Sequence, residues 1–240
     1  MSGAFPVPAA LPGRVGAFSG ESQQPVRIRP RSWRSVLIAV EPDVLSVLDE
    51  DGVTVPSEKI AGDRLVDREA VDGLLNGSDL ADDTALLRAF LLVQAWGAGV
   101  TGTRTIRHTG TAFGHRERLV DALRTSAERL RHADGTAELA EAYESWRCPG
   151  VGPSFFTKWF AYAGRLDGRD WQPLILDDRV YRALNRTLDV RLVDLADSRS
   201  RADRYRVYVE AVHAWARELG ITADRLEWVL FRDNGRDAGA

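Results

Sequence analysis

The chain reads as a mainly α protein with one or two short strands near its N-terminus. Three observations predict this. From Asp67 onward helical signals accumulate, with Asp67, Asp82-Asp83 and Thr222 opening apolar-periodic runs and Asn76-Gly77 and Asp134-Gly135 stopping others. β-Branched, strand-like stretches are confined to the first 56 residues or so. The 240 residues are 44% apolar, enough to bury a sizeable core.

Residues 1–31 are rich in Pro, Gly, Ala and Ser and keep neither a period of 2 nor of 3.6, so they read as a flexible or loosely docked arm. Residues 32–240 read as a single helical domain. The run WRSVLIAV after Ser32 suits a short strand or a buried helix equally, and GVTVP from Gly52 to Pro56 suits a second short strand. Asp67 opens the helix DREAVDGLL, which Asn76-Gly77 stops. Asp82-Asp83 caps TALLRAFLLVQAW, apolar all round and therefore central. Gly97 to Gly114 reads as a glycine-rich basic linker carrying Arg104, Arg107 and His108. A helix from about Thr111 to His132 follows, with Leu119, Leu123, Ala127 and Leu130 on one stripe. Asp134-Gly135 ends it, and TAELAEAYESW forms a short helix. Beyond residue 178, RVYRALNRTL, Arg201 to Leu219, and ADRLEWVLFR capped by Thr222 complete the helical set.

The formal net charge of −3 argues against a protein that binds nucleic acid by overall charge, so any such contact needs a local basic surface. One cysteine, Cys148, excludes an internal disulfide and an iron–sulfur cluster held by four thiolates, and fits the cytoplasm. No apolar run reaches about 18 residues and no secretion signal is present, so a soluble chain with no membrane association is expected.

The stretch from Trp146 to Val180 carries the chemistry. Pro149-Gly150-Val151-Gly152-Pro153 places two glycines around one apolar residue, with a proline where a first helical residue needs no N–H. Such a turn lets the backbone approach a phosphate while Val151 packs inward, and helix-start amides favour an anion. Many tight turns between helices have this composition. In the helix that follows, Ser154, Lys158 and Tyr162 fall at i, i+4 and i+8 as a polar stripe on an apolar surround. Lys158 is either a lysine whose stem lies on the core while its ammonium reaches water, or a desolvated amine able to act as a nucleophile. Asp177 and Asp178 precede RVYRAL, where the commonest use of Asp is an N-cap; a capping carboxylate held by backbone amides also suits stabilisation of a cationic sugar.

Together, the Gly-Val-Gly turn, the lysine in the next helix and an aspartate nineteen residues later in ILDDRV resemble the helix-hairpin-helix DNA glycosylase superfamily, in particular 8-oxoguanine DNA glycosylase-fold proteins of the cluster-free branch. The resemblance is strong over 146–188, weaker in LVQAWGAG and LEWVLF, and leaves the first 80 or so residues uncovered. It implies two helical subdomains with the active site in the cleft between them. In the eukaryotic-type enzymes the lysine lies two residues after the second hairpin glycine, a place held here by Ser154; Lys158 lies one helical turn further on, on the same face. SFFTKW is more similar to the archaeal enzymes, and ILDDRV resembles the adenine-specific mismatch glycosylases, which aligns Asp177 with the catalytic carboxylate.

The resemblance implies excision of a damaged or modified base of the 8-oxoguanine kind from double-stranded DNA, by a monomer, with no cofactor or metal. Asp177 would stabilise the sugar cation, and Lys158 would attack C1′ to form a Schiff base with associated AP-lyase activity. Gly150, Val151, Gly152 and Ser154 would contact DNA, with Arg104, Arg107 and Arg116 as further phosphate or wedge residues. Gln94, Trp96, Tyr162 and Trp171 are the candidates for the base pocket, since a flipped base needs an aromatic face and a group to read its edge. Other readings stay open: a defence glycosylase acting on hypermodified phage bases, a non-catalytic hairpin module that only binds DNA, and a catalytically degenerate scaffold.

Overall fold

A computed structural model describes residues 5–37, 39, 40 and 42–235, and it is mainly helical. In chain order the elements are α1 (Leu11–Ala17), β1 (Val26–Ile28), α2 (Pro30–Val36), α3 (Pro42–Ser46), β2 (Val55–Pro56), β3 (Arg64–Val66), α4 (Arg68–Gly77), α5 (Asp83–Ala98), α6 (Thr103–Phe113), α7 (Arg116–Arg131), α8 (Ala137–Ser145), α9 (Pro153–Ala163), α10 (Asp178–Arg182), α11 (Leu192–Leu195), α12 (Arg201–Glu218) and α13 (Ala223–Asp233). Among the described residues no helix is long and apolar enough to cross a membrane.

Side-chain caps set several helix starts where the sequence places them. The carboxylates of Asp67 and Asp82 accept from the amides of Ala70 (2.8 Å) and Ala85 (2.7 Å), and Ser200 and Thr222 cap α12 and α13 in the same way. The all-round apolar α5 lies at the centre, buried from Leu86 to Trp96 apart from Arg88, and packs against α3, α4, α6, α7, α9 and β1. Trp33, Phe90, Trp159, Phe160, Tyr205, Tyr208 and Trp215 are the largest fully buried side chains of a single continuous core.

The N-terminal region differs most from the expectation. Within the span read as an arm, residues 5–31 form α1, β1 and the start of α2 and are joined by side-chain contacts to α12 and α13. The indole of Trp215 donates to the Pro6 carbonyl (3.0 Å), Arg14 pairs with Asp233 (3.2 Å), and Leu11 is fully buried. One buried leucine and side-chain hydrogen bonds supplied from 200 residues away leave no periodic trace in the segment itself. WRSVLIAV resolves in favour of helix over its first half, in α2, and GVTVP contributes β2. The sheet has the antiparallel order β1–β3–β2, with Val26 opposite Val66 and Val55 opposite Leu65; β1 and β3 are too short to show alternation.

Two further corrections concern the middle of the chain. Most of the expected linker from Gly97 to Gly114 is the helix α6, with Thr105, Ile106, Thr109, Ala112 and Phe113 on its buried face. The expected single helix from Thr111 to His132 is divided at Gly114-His115 into the end of α6 and α7. Threonines on the inward face disguised α6 as a polar loop. RVYRALNRTL is helical, with α10 passing into a π turn over Ala183–Thr187.

Candidate active site

The turn between α8 and α9 is built around Trp146. Its ring packs on Phe156 and Phe160, and its indole N–H donates to the Val151 carbonyl (3.1 Å). Val151 itself points inward and is buried. Gly150 has φ +84°, and a Cβ there would lie 2.4 Å from the His108 carbonyl oxygen, so this glycine is required where the turn seats against α6. Gly152 has open space where a Cβ would project, and it precedes Pro153 at the first position of α9. Among the described residues the amides of Gly152 and Ser154 have no hydrogen-bond partner.

On α9, the side chain of Lys158 runs back along the helix, as helical side chains do, and its Nζ donates to the Ser154 carbonyl oxygen at 2.8 Å. The ammonium therefore sits beside residue 154 although its Cα is one turn further on. Gly97 of α5 lets the stem pass: a Cβ there would stand 2.6 Å from Cδ and 2.8 Å from Cε of Lys158. Nζ also lies 3.2 Å from Oδ2 of Asp177, and the two residues are only 6% and 8% exposed. Asp177 caps α10, its Oδ1 accepting from the amides of Arg179 (3.0 Å) and Val180 (3.2 Å). Asp178 is exposed on the first turn and makes neither contact. Asp177 thus caps the helix with one oxygen and meets the lysine with the other.

The extended segment ahead of Asp177 belongs to no sheet, and buried side chains satisfy its backbone instead. Tyr205 and Tyr208 donate to the carbonyls of Leu174 (2.9 Å) and Ile175 (2.8 Å), the Leu176 amide donates to Thr157 Oγ1 (3.2 Å), and the Ile175 amide donates to Glu227. Glu227 is held in turn by Arg68 (2.7 Å), which also reaches Asp224 (3.2 Å). Burial pushes the Glu227 carboxyl above its ordinary range against the opposing pull of Arg68. The Arg68 guanidinium lies over the rings of Trp96 (5.6 Å) and Tyr162 (5.7 Å), which meet edge to face at 5.3 Å. Among the described residues the Tyr162 hydroxyl, the Trp96 indole N–H and Nε of Arg68 have no hydrogen-bond partner.

A pocket of about 470 Å3, part of it open to solvent, stands over this arrangement. Lys158, Asp177, Gly97, Trp96, Arg68 and Glu227 line it together with apolar Val26, Ile175, Val180, Trp228 and Phe231, and Gln23 adds an amide. The polar and apolar groups suit a flat heteroaromatic ligand beside an amine–carboxylate pair. No group of three or more His, Cys, Asp or Glu placed to hold a metal ion occurs among the described residues. Burial raises the Cys148 thiol to about 11, so it supplies no competing thiolate.

Of the other residues singled out in the sequence, Trp96 lines the pocket and Tyr162 packs behind it. Gln94 is buried, its amide turned to the Phe155 carbonyl (3.4 Å), and Trp171 lies under Arg169 (3.8 Å); neither lines the pocket. Arg104 and Arg107 are exposed on α6, the helix on which Gly150 rests, whereas Arg116 is paired with Asp83 (3.0 Å). Gln23, Arg68, Gly97 and Glu227 were not foreseen. Only Glu227 left a signal, a carboxylate inside the apolar stripe of α13.

Compared with known families, residues 19–231 match the one described as "Putative 8-oxoguanine DNA glycosylase OGG-like protein". No curated protein and no solved structure matches the chain. The match spans most of the chain and includes both the hairpin and the Lys158–Asp177 pair; the chain belongs to the 8-oxoguanine DNA glycosylase OGG-like family.

Proposed function

We propose that the protein is a DNA glycosylase that turns a damaged or modified base of the 8-oxoguanine kind out of double-stranded DNA and excises it, with Lys158 as nucleophile. The observation that carries this reading is the pairing of Lys158 Nζ with Asp177 Oδ2 at 3.2 Å inside a largely apolar pocket. A module that only binds DNA has no use for a buried amine and carboxylate brought together there.

In this scheme the unpartnered amides of Gly152 and Ser154 grip a phosphate, with Arg104 and Arg107 nearby on α6. The flipped base enters the pocket at a cost of a few kcal/mol of unstacking. As the C1′–N bond breaks, the base leaves with the electron pair and takes a proton from the Lys158 ammonium. Asp177, fixed by its two amide hydrogen bonds, stabilises the positive charge developing at C1′. The freed lone pair of Nζ closes on C1′ and a second Nζ proton passes to Asp177; the lone pair left on Nζ then breaks the C1′–O4′ bond, Asp177 returns that proton to O4′, and the opened sugar is held as the protonated imine. Loss of a C2′ proton then expels the 3′ phosphate. If water attacks in place of Nζ, the base is released without strand cleavage.

Borohydride trapping against duplexes carrying a panel of lesions, 8-oxoguanine among them, tests the scheme. A covalent protein–DNA adduct is expected with the wild type and none with Lys158→Gln. Base release that survives Lys158→Ala unchanged rules out the catalytic assignment.

A further inference from the structure

The N-terminal segment contributes a wall of the pocket. Residues 18–21 are strapped to α13: Arg225 donates to the carbonyls of Phe18 and Glu21, the latter at 2.7 Å, Arg232 pairs with Glu21 at 3.0 Å, and the Phe18 ring stands edge-on to Trp228. Two residues beyond the strap, Gln23 lines the pocket together with Lys158 and Asp177, 135 and 154 residues away in sequence.

The charged side chains lining that pocket are committed to one another or to the backbone. Lys158 is engaged by Asp177 and the Ser154 carbonyl, and Arg68 and Glu227 hold one another, with the second Glu227 oxygen taken by the Ile175 amide. Two lining groups remain: among the described residues the Trp96 indole N–H, a donor alone, has no hydrogen-bond partner and the Gln23 side chain makes no hydrogen bond, so Gln23 is the one of the two that also offers an acceptor. A primary amide presents a donor and an acceptor side by side, the pattern that pairs with the edge of a nucleobase. The surrounding walls, among them Val26, Trp228 and Phe231, offer the ring faces only apolar contact.

We infer that Gln23, carried on a strap fastened to α13, reads the hydrogen-bonding edge of the flipped base and determines which base is excised. This rests on the glycosylase reading. It also assigns the strap to the substrate site, so the Arg225 and Arg232 contacts position a specificity residue as well as tying down the chain terminus.

The full-length protein and Gln23→Ala are compared on two duplexes, one carrying 8-oxoguanine and one carrying a tetrahydrofuran abasic analogue, which has no base to read. Gln23 is half-buried without a hydrogen bond, so the variant is expected to fold and melt as the wild type does. Loss of a base-edge hydrogen bond should slow single-turnover excision about tenfold or more, while affinity for the abasic duplex stays within about twofold. Equal excision by both proteins overturns the role of Gln23 and leaves the glycosylase reading standing. Loss of affinity for the abasic duplex in parallel with excision assigns Gln23 to general DNA contact and likewise overturns it. A wild type that neither excises 8-oxoguanine nor prefers that duplex to an undamaged one overturns the 8-oxoguanine reading, and this inference with it.

Discussion

Lys158 crosses α5 at Gly97, and the space that admits its stem is the space a Cβ would fill, at 2.6 Å from Cδ and 2.8 Å from Cε. The lysine thereby carries its ammonium back one turn to the Ser154 carbonyl and across to Asp177. A glycine in a helix interior costs about 1 kcal/mol relative to alanine, so its presence here reflects the lysine's path.

Gly97→Ala is therefore expected to separate stability from activity. The new methyl meets the methylenes of a flexible side chain, not backbone, so Lys158 is displaced while the helix gains propensity. Stability should change by no more than about 1 kcal/mol in chemical denaturation. With Lys158 as the proposed nucleophile, borohydride-trappable adduct should fall by about tenfold to a hundredfold, because a misplaced nucleophile loses its alignment. Adduct at wild-type level would show that the path of Lys158 past Gly97 does not set the position of the trapped amine.

Much of this arrangement is legible in the chain, and the parts that are not share a physical cause. The caps at Asp67, Asp82, Ser200 and Thr222, the central α5 and the Gly-Val-Gly turn are local features, written in adjacent residues. The Lys158–Asp177 pair spans only nineteen residues, and the lysine's displacement from position 154 is undone by its own length. Gln23, Arg68 and Glu227 acquire their places only when the two ends of the chain meet on α13, through contacts such as Arg68 to Glu227 that span 159 residues. Gln94 misled for the converse reason: an amide in an apolar helix looks like a pocket residue, yet its partner is the Phe155 carbonyl one helix away.

The two hairpin glycines serve different ends. Gly150 needs its positive φ and its bare Cα against the His108 carbonyl, so Gly150→Ala should unseat the turn from α6 and lower stability by about 1–3 kcal/mol. Gly152 has an ordinary φ of −85° and open space around it, so Gly152→Ala should melt within a degree or two of the wild type, about 0.5 kcal/mol. If its amide faces a phosphate, the same methyl should weaken duplex binding several-fold in an anisotropy titration. Unchanged affinity would remove Gly152 from the proposed DNA contact.

Glu227 ties the segment before Asp177 to α13, accepting from the Ile175 amide and from Arg68. Glu227→Ala leaves a buried guanidinium with only Asp224 to meet it and a buried amide with no partner, an expected loss of about 3–5 kcal/mol in urea denaturation. Glu227→Gln keeps one acceptor and should cost less. The double change Arg68→Met with Glu227→Leu should recover most of the stability, because apolar residues of similar volume replace a buried pair at little cost. Activity should not recover with it, since the Ile175 amide remains unpaired two residues from Asp177. Full activity in the double variant would show that Asp177 is held by α10 alone.

His213 supplies the pH dependence. Burial lowers its pKa below the ordinary 6.5; Arg217 and Arg169 act in the same direction, and Asp224 and the Gln172 backbone oppose them. Its Nε2 lies 3.0 Å from both the amide nitrogen and the carbonyl oxygen of Gln172, so the neutral ring can accept from the N–H. A depressed folded-state pKa means that the unfolded chain binds the proton first on acidification. The stability associated with the neutral ring is complete above about pH 6.5 and is lost as the pH falls through the folded-state pKa. Melting temperature followed from pH 7.5 to 5 should decline less steeply in His213→Gln than in the wild type, whereas parallel curves would place the acid sensitivity in other groups.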